Sequence, residues 1–147
     1  MTKKDREKLI NQLKKVLAKQ PIKLAYLYGS YARGQETPKS DIDIAVVMER
    51  NSKKADYEIA VALQSQLGKN FPEIDIRSIN LENPSVFLRN VLKEGKPLVV
   101  KDESERINFE VNAMKKFYDA SYVRNFMKRY LYQKIKEDSY GRRQTYN

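Results

Sequence analysis

The residues best suited to chemistry lie in two short stretches, Leu27-Tyr28-Gly29-Ser30-Tyr31-Ala32-Arg33-Gly34 and Lys39-Ser40-Asp41-Ile42-Asp43-Ile44. Asp41 and Asp43 bracket Ile42 where an apolar run begins, and on a strand such i, i+2 neighbours point the same way, about 6–7 Å apart. Two carboxylates on one face repel unless cations sit between them, and paired divalent ions about 3.5–4 Å apart are within reach of both. Asp75 stands on another apolar run with the same alternation, Glu73-Ile74-Asp75-Ile76-Arg77. If the two strands are neighbours, Asp75 joins the same face, ligates one ion and helps to deprotonate an attacking hydroxyl. Gly29 permits a tight turn with close backbone approach, and the Ser30 hydroxyl with the following amides can hold phosphate oxygens. Arg33, just beyond, offers a phosphate its planar fork of donors.

Composition narrows the chemistry further. The chain of 147 residues contains neither Cys nor His. That removes disulfides, thiolate metal sites and every Ser-His or Cys-His nucleophile scheme. A metal site must then use carboxylates and carbonyls, which suit Mg²⁺ or Mn²⁺ and argue against zinc. The formal charge of +10 is spread along the chain: residues 1–100 hold 18 basic and 12 acidic residues, and residues 101–147 hold 11 and 7. Such a field attracts nucleic acid, a triphosphate or an acidic protein, yet equally describes a solvated Lys-rich surface, so charge does not select a function. The charged N-terminus lacks the apolar centre of a signal peptide, and no apolar stretch nears the roughly 20 residues of a membrane span. The expectation is a soluble, cytoplasmic protein.

The elements that must position these residues follow from periodicity. A helix is expected over about Lys3–Lys19, with Thr2 and Asp5 at capping-box spacing and Leu9, Leu13, Val16 and Leu17 on one face. Strands are expected at Ile22–Tyr28, Ile42–Met48 and Ile74–Ile79, with a short, edge-type strand at Leu98–Lys101. Between them come helices at about Lys53–Leu67, stopped by Gly68, and from Asn83-Pro84, as cap and first position, to Lys93. A helical segment over about Glu103–Asp138 follows, with Asp119-Ala120-Ser121 as a possible break and Tyr140–Asn147 as a frayed end. The class is α+β, with a mixed sheet.

Singly, each motif has a bland explanation: an exposed strand face, a turn, a solvated acid. The ordered set does not. Gly29-Ser30, a gap of ten residues and Asp41-Ile42-Asp43 match the G-S-x(10)-D-x-D signature of the DNA polymerase beta-like nucleotidyltransferase superfamily. The flanks LYGSYARG and SDIDIAV resemble its minimal nucleotidyltransferase (MNT) branch. The resemblance implies a core at residues 1–101, a short mixed sheet flanked by helices, with a C-terminal helical extension at 102–147. It implies two Mg²⁺ ions and ATP as donor, with Asp41 and Asp43 on both ions, Asp75 on one, and Gly29 and Ser30 on the triphosphate. Arg33 as a phosphate contact is an inference from its position alone. Tyr31 and Lys39 receive no assignment.

The branch includes antitoxins that adenylylate a tyrosine of a partner HEPN-family ribonuclease toxin. Six of the ten tyrosines follow residue 101, and this aromatic tail resembles the extension such antitoxins use, either packed on the core or facing a partner in a hetero-oligomer. The expectation is therefore transfer of AMP to a HEPN toxin. The alternatives are a small-molecule nucleotidyltransferase of the aminoglycoside-modifying type and a non-catalytic nucleotide- or partner-binding module. Contact with nucleic acid, direct or through a partner, stays open on charge.

Overall fold

In the computed structural model, residues 2–50 and 52–145 are described, with side chains up to 137. The elements run α1 (Lys3–Leu17), β1 (Ile22–Tyr28), α2 (Ser30–Arg33), β2 (Ile42–Met48), α3 (Ala55–Leu67), β3 (Ile74–Ser78), α4 (Ser85–Glu94), β4 (Lys96–Val100) and α5 (Glu103–Thr145). The strands form one sheet in the order β3-β2-β1-β4. β1 is antiparallel to both β2 and β4, whereas β2 and β3 are parallel and joined through α3. The sheet is mixed, as expected.

Apolar alternation divides the core between the two faces. Ala25, Leu27, Ile42, Ile44, Val46, Ile74 and Ile76 face Leu9, Leu13 and Leu17 of α1 and Ile59 and Leu63 of α3. Leu24, Tyr26 and Ala45 face the other way, against Leu88 and Val91 of α4 and Ala113 of α5. β1 is thus buried on both sides, which is why its run IKLAYLY is apolar at nearly every position. The capping box at α1 forms as read, with Thr2 and Asp5 exchanging bonds of 3.2 and 3.1 Å.

Several elements differ from the sequence reading. The helix α2 replaces an expected turn and short segment. Pro84, not Asn83, caps α4, because the Asn83 Oδ1 accepts from the Asn80 amide at 2.7 Å within the preceding loop. β4 begins at Lys96, earlier than expected, since Pro97 is tolerated on an edge strand, where one side needs no ladder donor. α5 passes through Asp119-Ala120-Ser121 unbroken: none of the three is a Gly or Pro, and weak propensity alone does not stop a helix. It continues to Thr145 rather than ending near Asp138, and Tyr146 and Asn147 lie outside the described residues.

A side-chain hydrogen bond helps to tie α5 to the sheet. The buried Tyr26 hydroxyl donates to Glu110 Oε1 at 3.0 Å. Burial, then the Glu110 charge, holds this hydroxyl far above the ordinary tyrosine range, so it remains a donor. Tyr26→Phe should lower stability by about 1 kcal/mol in urea unfolding, the net value of one such bond. Leu27→Ala, at a fully buried position, should cost about 2–5 kcal/mol. Equal losses in the two variants would contradict this account of the core.

Candidate active site

The site begins where β1 ends. Gly29 takes φ +75° and ψ −156°, a conformation that L side chains rarely adopt, and turns the chain directly into α2. A Cβ there would collide with the Asp43 carboxylate and lie 3.3 Å from the Asp43 Cβ. Only glycine lets the turn come so close to that side chain. The Ala32 and Arg33 amides both return to Gly29 O at 3.1 Å. Ser30, half-buried, stands at the first position of α2 directly after this turn. Tyr31 and Ala32 point into the core and anchor it, so Tyr31 is a packing residue.

Residues 34–40, between α2 and β2, form a hydrogen-bonded loop. Glu36 is pinned by Arg6 of α1, whose Nε donates at 2.8 Å. The Thr37 amide donates to Ser40 Oγ at 2.8 Å and the Ser40 amide returns to Thr37 O at 2.9 Å. This turn delivers Asp41 to the edge of the sheet, where the Ile42 amide bonds Glu73 O at 2.8 Å and starts the pairing with β3.

Register then sets the carboxylates. Tyr28 of β1 lies opposite Asp43 of β2, and Asp43 lies opposite Asp75 of β3. The three side chains form a row on one face, and Asp41 precedes Asp43 by two residues. Asp43 is half-buried while Asp41 and Asp75 are exposed. Burial first, then the charges of Asp75 and Asp41, raises the Asp43 carboxyl above the usual aspartate range, with Arg77 and Arg33 opposing. Among the described residues no three carboxylates already converge as a metal cluster. Asp43 and Asp75 share a face through register, and Asp41 stands just before β2, so the three do not close on one another, consistent with like charges that repel.

These donors fit a hard divalent cation. All are carboxylates, and Asp43 is disfavoured in its charged form by two neighbours whose charge such an ion would neutralise. Asp41, Asp43 and Asp75 would be its ligands.

Arg33 sits apart from the row, its guanidinium donating to Glu94 Oε2 at 3.0 Å and to Gln35 Oε1 at 3.3 Å. Lys39 is exposed on the loop. The sequence reading missed two further residues. Arg77 follows Asp75 by two positions and so shares its face; its guanidinium carbon lies 5.2 Å from the Phe87 ring centroid. Phe87 meets Tyr28 edge to face at 6.3 Å. The i, i+2 rule that linked Asp41 to Asp43 would also have flagged Arg77, whereas Phe87 belongs to α4 and no local pattern points to it. A cavity of about 450 Å³ lies near Met48 and Ser52, at the far end of β2, and contains none of these residues.

Residues 11–104 match the family described as polymerase beta, nucleotidyltransferase. Over 78 residues the chain is 36% identical to a protein adenylyltransferase, MntA, of Shewanella oneidensis, covering 52% of this chain and 53% of that protein. It thus spans about half the length of that curated relative. A chain of a toxin–antitoxin crystal structure with AMP-PNP superposes with a TM-score of 0.65 at 26% identity, covering 83% of this chain and 97% of that one. A chain of the tri-AMPylated Shewanella oneidensis HEPN toxin in complex with MNT antitoxin gives 0.62 at 22% identity, over 86% and 98%, a likeness of fold alone. This protein belongs to the polymerase beta family of nucleotidyltransferases.

Proposed function

We propose that the chain is a Mg²⁺-dependent adenylyltransferase that moves AMP from ATP to a tyrosine hydroxyl of a HEPN-type ribonuclease toxin and so acts as its antitoxin. The observation that carries this reading is the Asp43–Asp75 register beside Gly29, which lines up acidic side chains against a turn suited to phosphate. The adenylyltransferase relative and the AMP-PNP-containing neighbour support the choice of nucleotide and of a protein acceptor. Bound Mg²⁺ would polarise the phosphates and neutralise charge that develops on them.

In this reading Asp41 and Asp43 hold the ions, and Asp75 holds one of them and receives the acceptor proton. The tyrosine oxygen bonds to the α-phosphorus, the bond from that phosphorus to the bridging oxygen breaks, and pyrophosphate leaves. Gly29 and Ser30 cradle the triphosphate. Arg33 joins it by exchanging its surface pair with Glu94, an interaction weak enough to give up.

Residues 102–147 serve as the partner-facing extension of the core. Their first turns pack on the sheet through Glu110 and Ala113. Beyond them the aromatics are largely solvent-facing, with Tyr118 64% and Tyr122 73% exposed, as suits a hetero-oligomeric contact. Among the described residues no helix is long and apolar enough to cross a membrane.

The deciding experiment supplies α-³²P-labelled ATP, Mg²⁺ and the HEPN-type partner, and locates the label by mass spectrometry. Label on a partner tyrosine is expected; an unlabelled partner refutes the reading. Asp41→Asn and Asp43→Asn should each lower transfer at least about a hundredfold, the scale for loss of one preorganised electrostatic contact. Chelation by EDTA should do the same to the wild type.

The raised Asp43 carboxyl gives a second check. Metal-free stability should fall as pH rises from the unfolded value of 3.8 through the higher folded pKa, since the fold favours the protonated acid. Asp43→Asn should therefore melt no lower than the wild type near pH 7 without metal, and any advantage should vanish in acid. A variant clearly less stable at neutral pH would contradict the electrostatic account. Gly29→Ala should destabilise and inactivate together, because its Cβ meets Asp43 and its φ is strained. Wild-type kinetics in that variant would show the close approach to be dispensable.

A further inference from the structure

One cation beside the carboxylates has no part in the roles above. Arg77 lies opposite Ala45 of β2, one step further along the sheet face than Asp75. Ala45 is too short to crowd it, and Phe87 packs against the cluster that contains Ala45. The Arg77 guanidinium carbon stands 5.2 Å from the Phe87 centroid, and Phe87 is braced edge-on by Tyr28 at 85°. Among the described residues Arg77 enters no ion pair and no side-chain hydrogen bond, whereas Arg6, Arg33 and Arg106 each pair with a glutamate. A guanidinium recruited only to neutralise the aspartates would close on one of them. This one stands off, held on an aromatic face with its donor edge open, an arrangement suited to bidentate capture of an oxyanion.

We propose that Arg77, seated on Phe87, is a phosphate-binding residue whose N–H edge takes a phosphoryl oxygen brought beside Asp43 and Asp75. This rests on the nucleotidyl-transfer reading, which supplies such oxygens from two sources. One is the triphosphate of the donor; the other is the phosphodiester of an acceptor that already carries a nucleotide.

The test titrates the full chain and its Arg77→Gln, Arg77→Lys and Phe87→Leu variants with AMP-PNP and with inorganic tripolyphosphate, each with Mg²⁺, by calorimetry. Thermal melts run alongside. With the donor as source, Arg77→Gln loses about tenfold in affinity for both ligands at an unchanged melting temperature. Arg77→Lys recovers part of the loss, and Phe87→Leu loses a fewfold, about the value of a cation–π contact. With the acceptor as source, both affinities hold in Arg77→Gln while the ratio of second to first nucleotide addition onto the partner falls about tenfold. Unchanged affinities together with an unchanged ratio overturn the proposal, as does a loss matched by a lower melting temperature. Wild-type protein that binds neither AMP-PNP nor tripolyphosphate sinks the nucleotidyl-transfer reading, and this proposal with it.

Discussion

The pairing of β2 with its two neighbours governs everything at the site, because side-chain direction on a strand has a period of two. A one-residue slip of β3 against β2 would turn Asp75 and Arg77 into the apolar layer and push Ile74 and Ile76 out. That layer prevents the slip. Ile42, Ile44 and Val46 of β2 are fully buried, and Ile74 and Ile76 of β3 are 7% exposed beneath α1 and α3. Each such side chain stabilises by about 1.5–3 kcal/mol when fully buried. Their sum exceeds what repulsion among partly solvated carboxylates can oppose. The apolar face holds the acidic face in register.

The acidic face is itself graded. At the β4 side and toward the sheet interior it is closed: Leu24, Tyr26, Ala45 and Ile79 are buried under α4 and α5. At the row of Tyr28, Asp43 and Asp75 the cover stops. Asp43 therefore sits at a boundary, half out of water and close to two like charges, which is why its carboxyl is displaced upward. Phe87 and Arg77 mark the same boundary from the other side, one apolar and one cationic. A charged ligand arriving there would meet fewer competing waters than on an open surface, and each electrostatic contact would count for more.

Most of this was legible in the chain, for identifiable reasons. β1 announces itself as a nearly continuous apolar run, and β2 and β3 through apolar residues that alternate with Asp43 and Asp75, with Asp41 two residues before Asp43. Capping at Thr2 is a local rule and formed as read. The failures lie where tertiary contacts decide. Asn83 has the right chemistry for a cap but is engaged by Asn80, and Pro97 extends β4 because the strand happens to be at an edge. Phe87 meets Arg77 and Tyr28 through the packing of α4 across the sheet, a relation that no window of sequence contains. That Arg33 finds Glu94, 61 residues away, is equally non-local.

The placement of α5 adds a last constraint. Its first turns pack on the sheet face that carries the aspartates, through Phe109, Glu110 and Ala113, and none of its described side chains joins the opposite layer beneath α1 and α3. Its outer turns expose Phe126, Tyr130, Leu131 and Ile135 with no covering element. On the proposed reading, a partner seated on those turns is held by the same helix that packs on the sheet face carrying the carboxylates. The Tyr26–Glu110 bond adds its own stability to that placement, beside the packing of Ala113 and Phe109 against Leu88 and Val91 of α4. On that reading one element does two things: its first turns cover the sheet face that carries Asp43 and Asp75, and its exposed apolar turns up to Ile135 receive the acceptor.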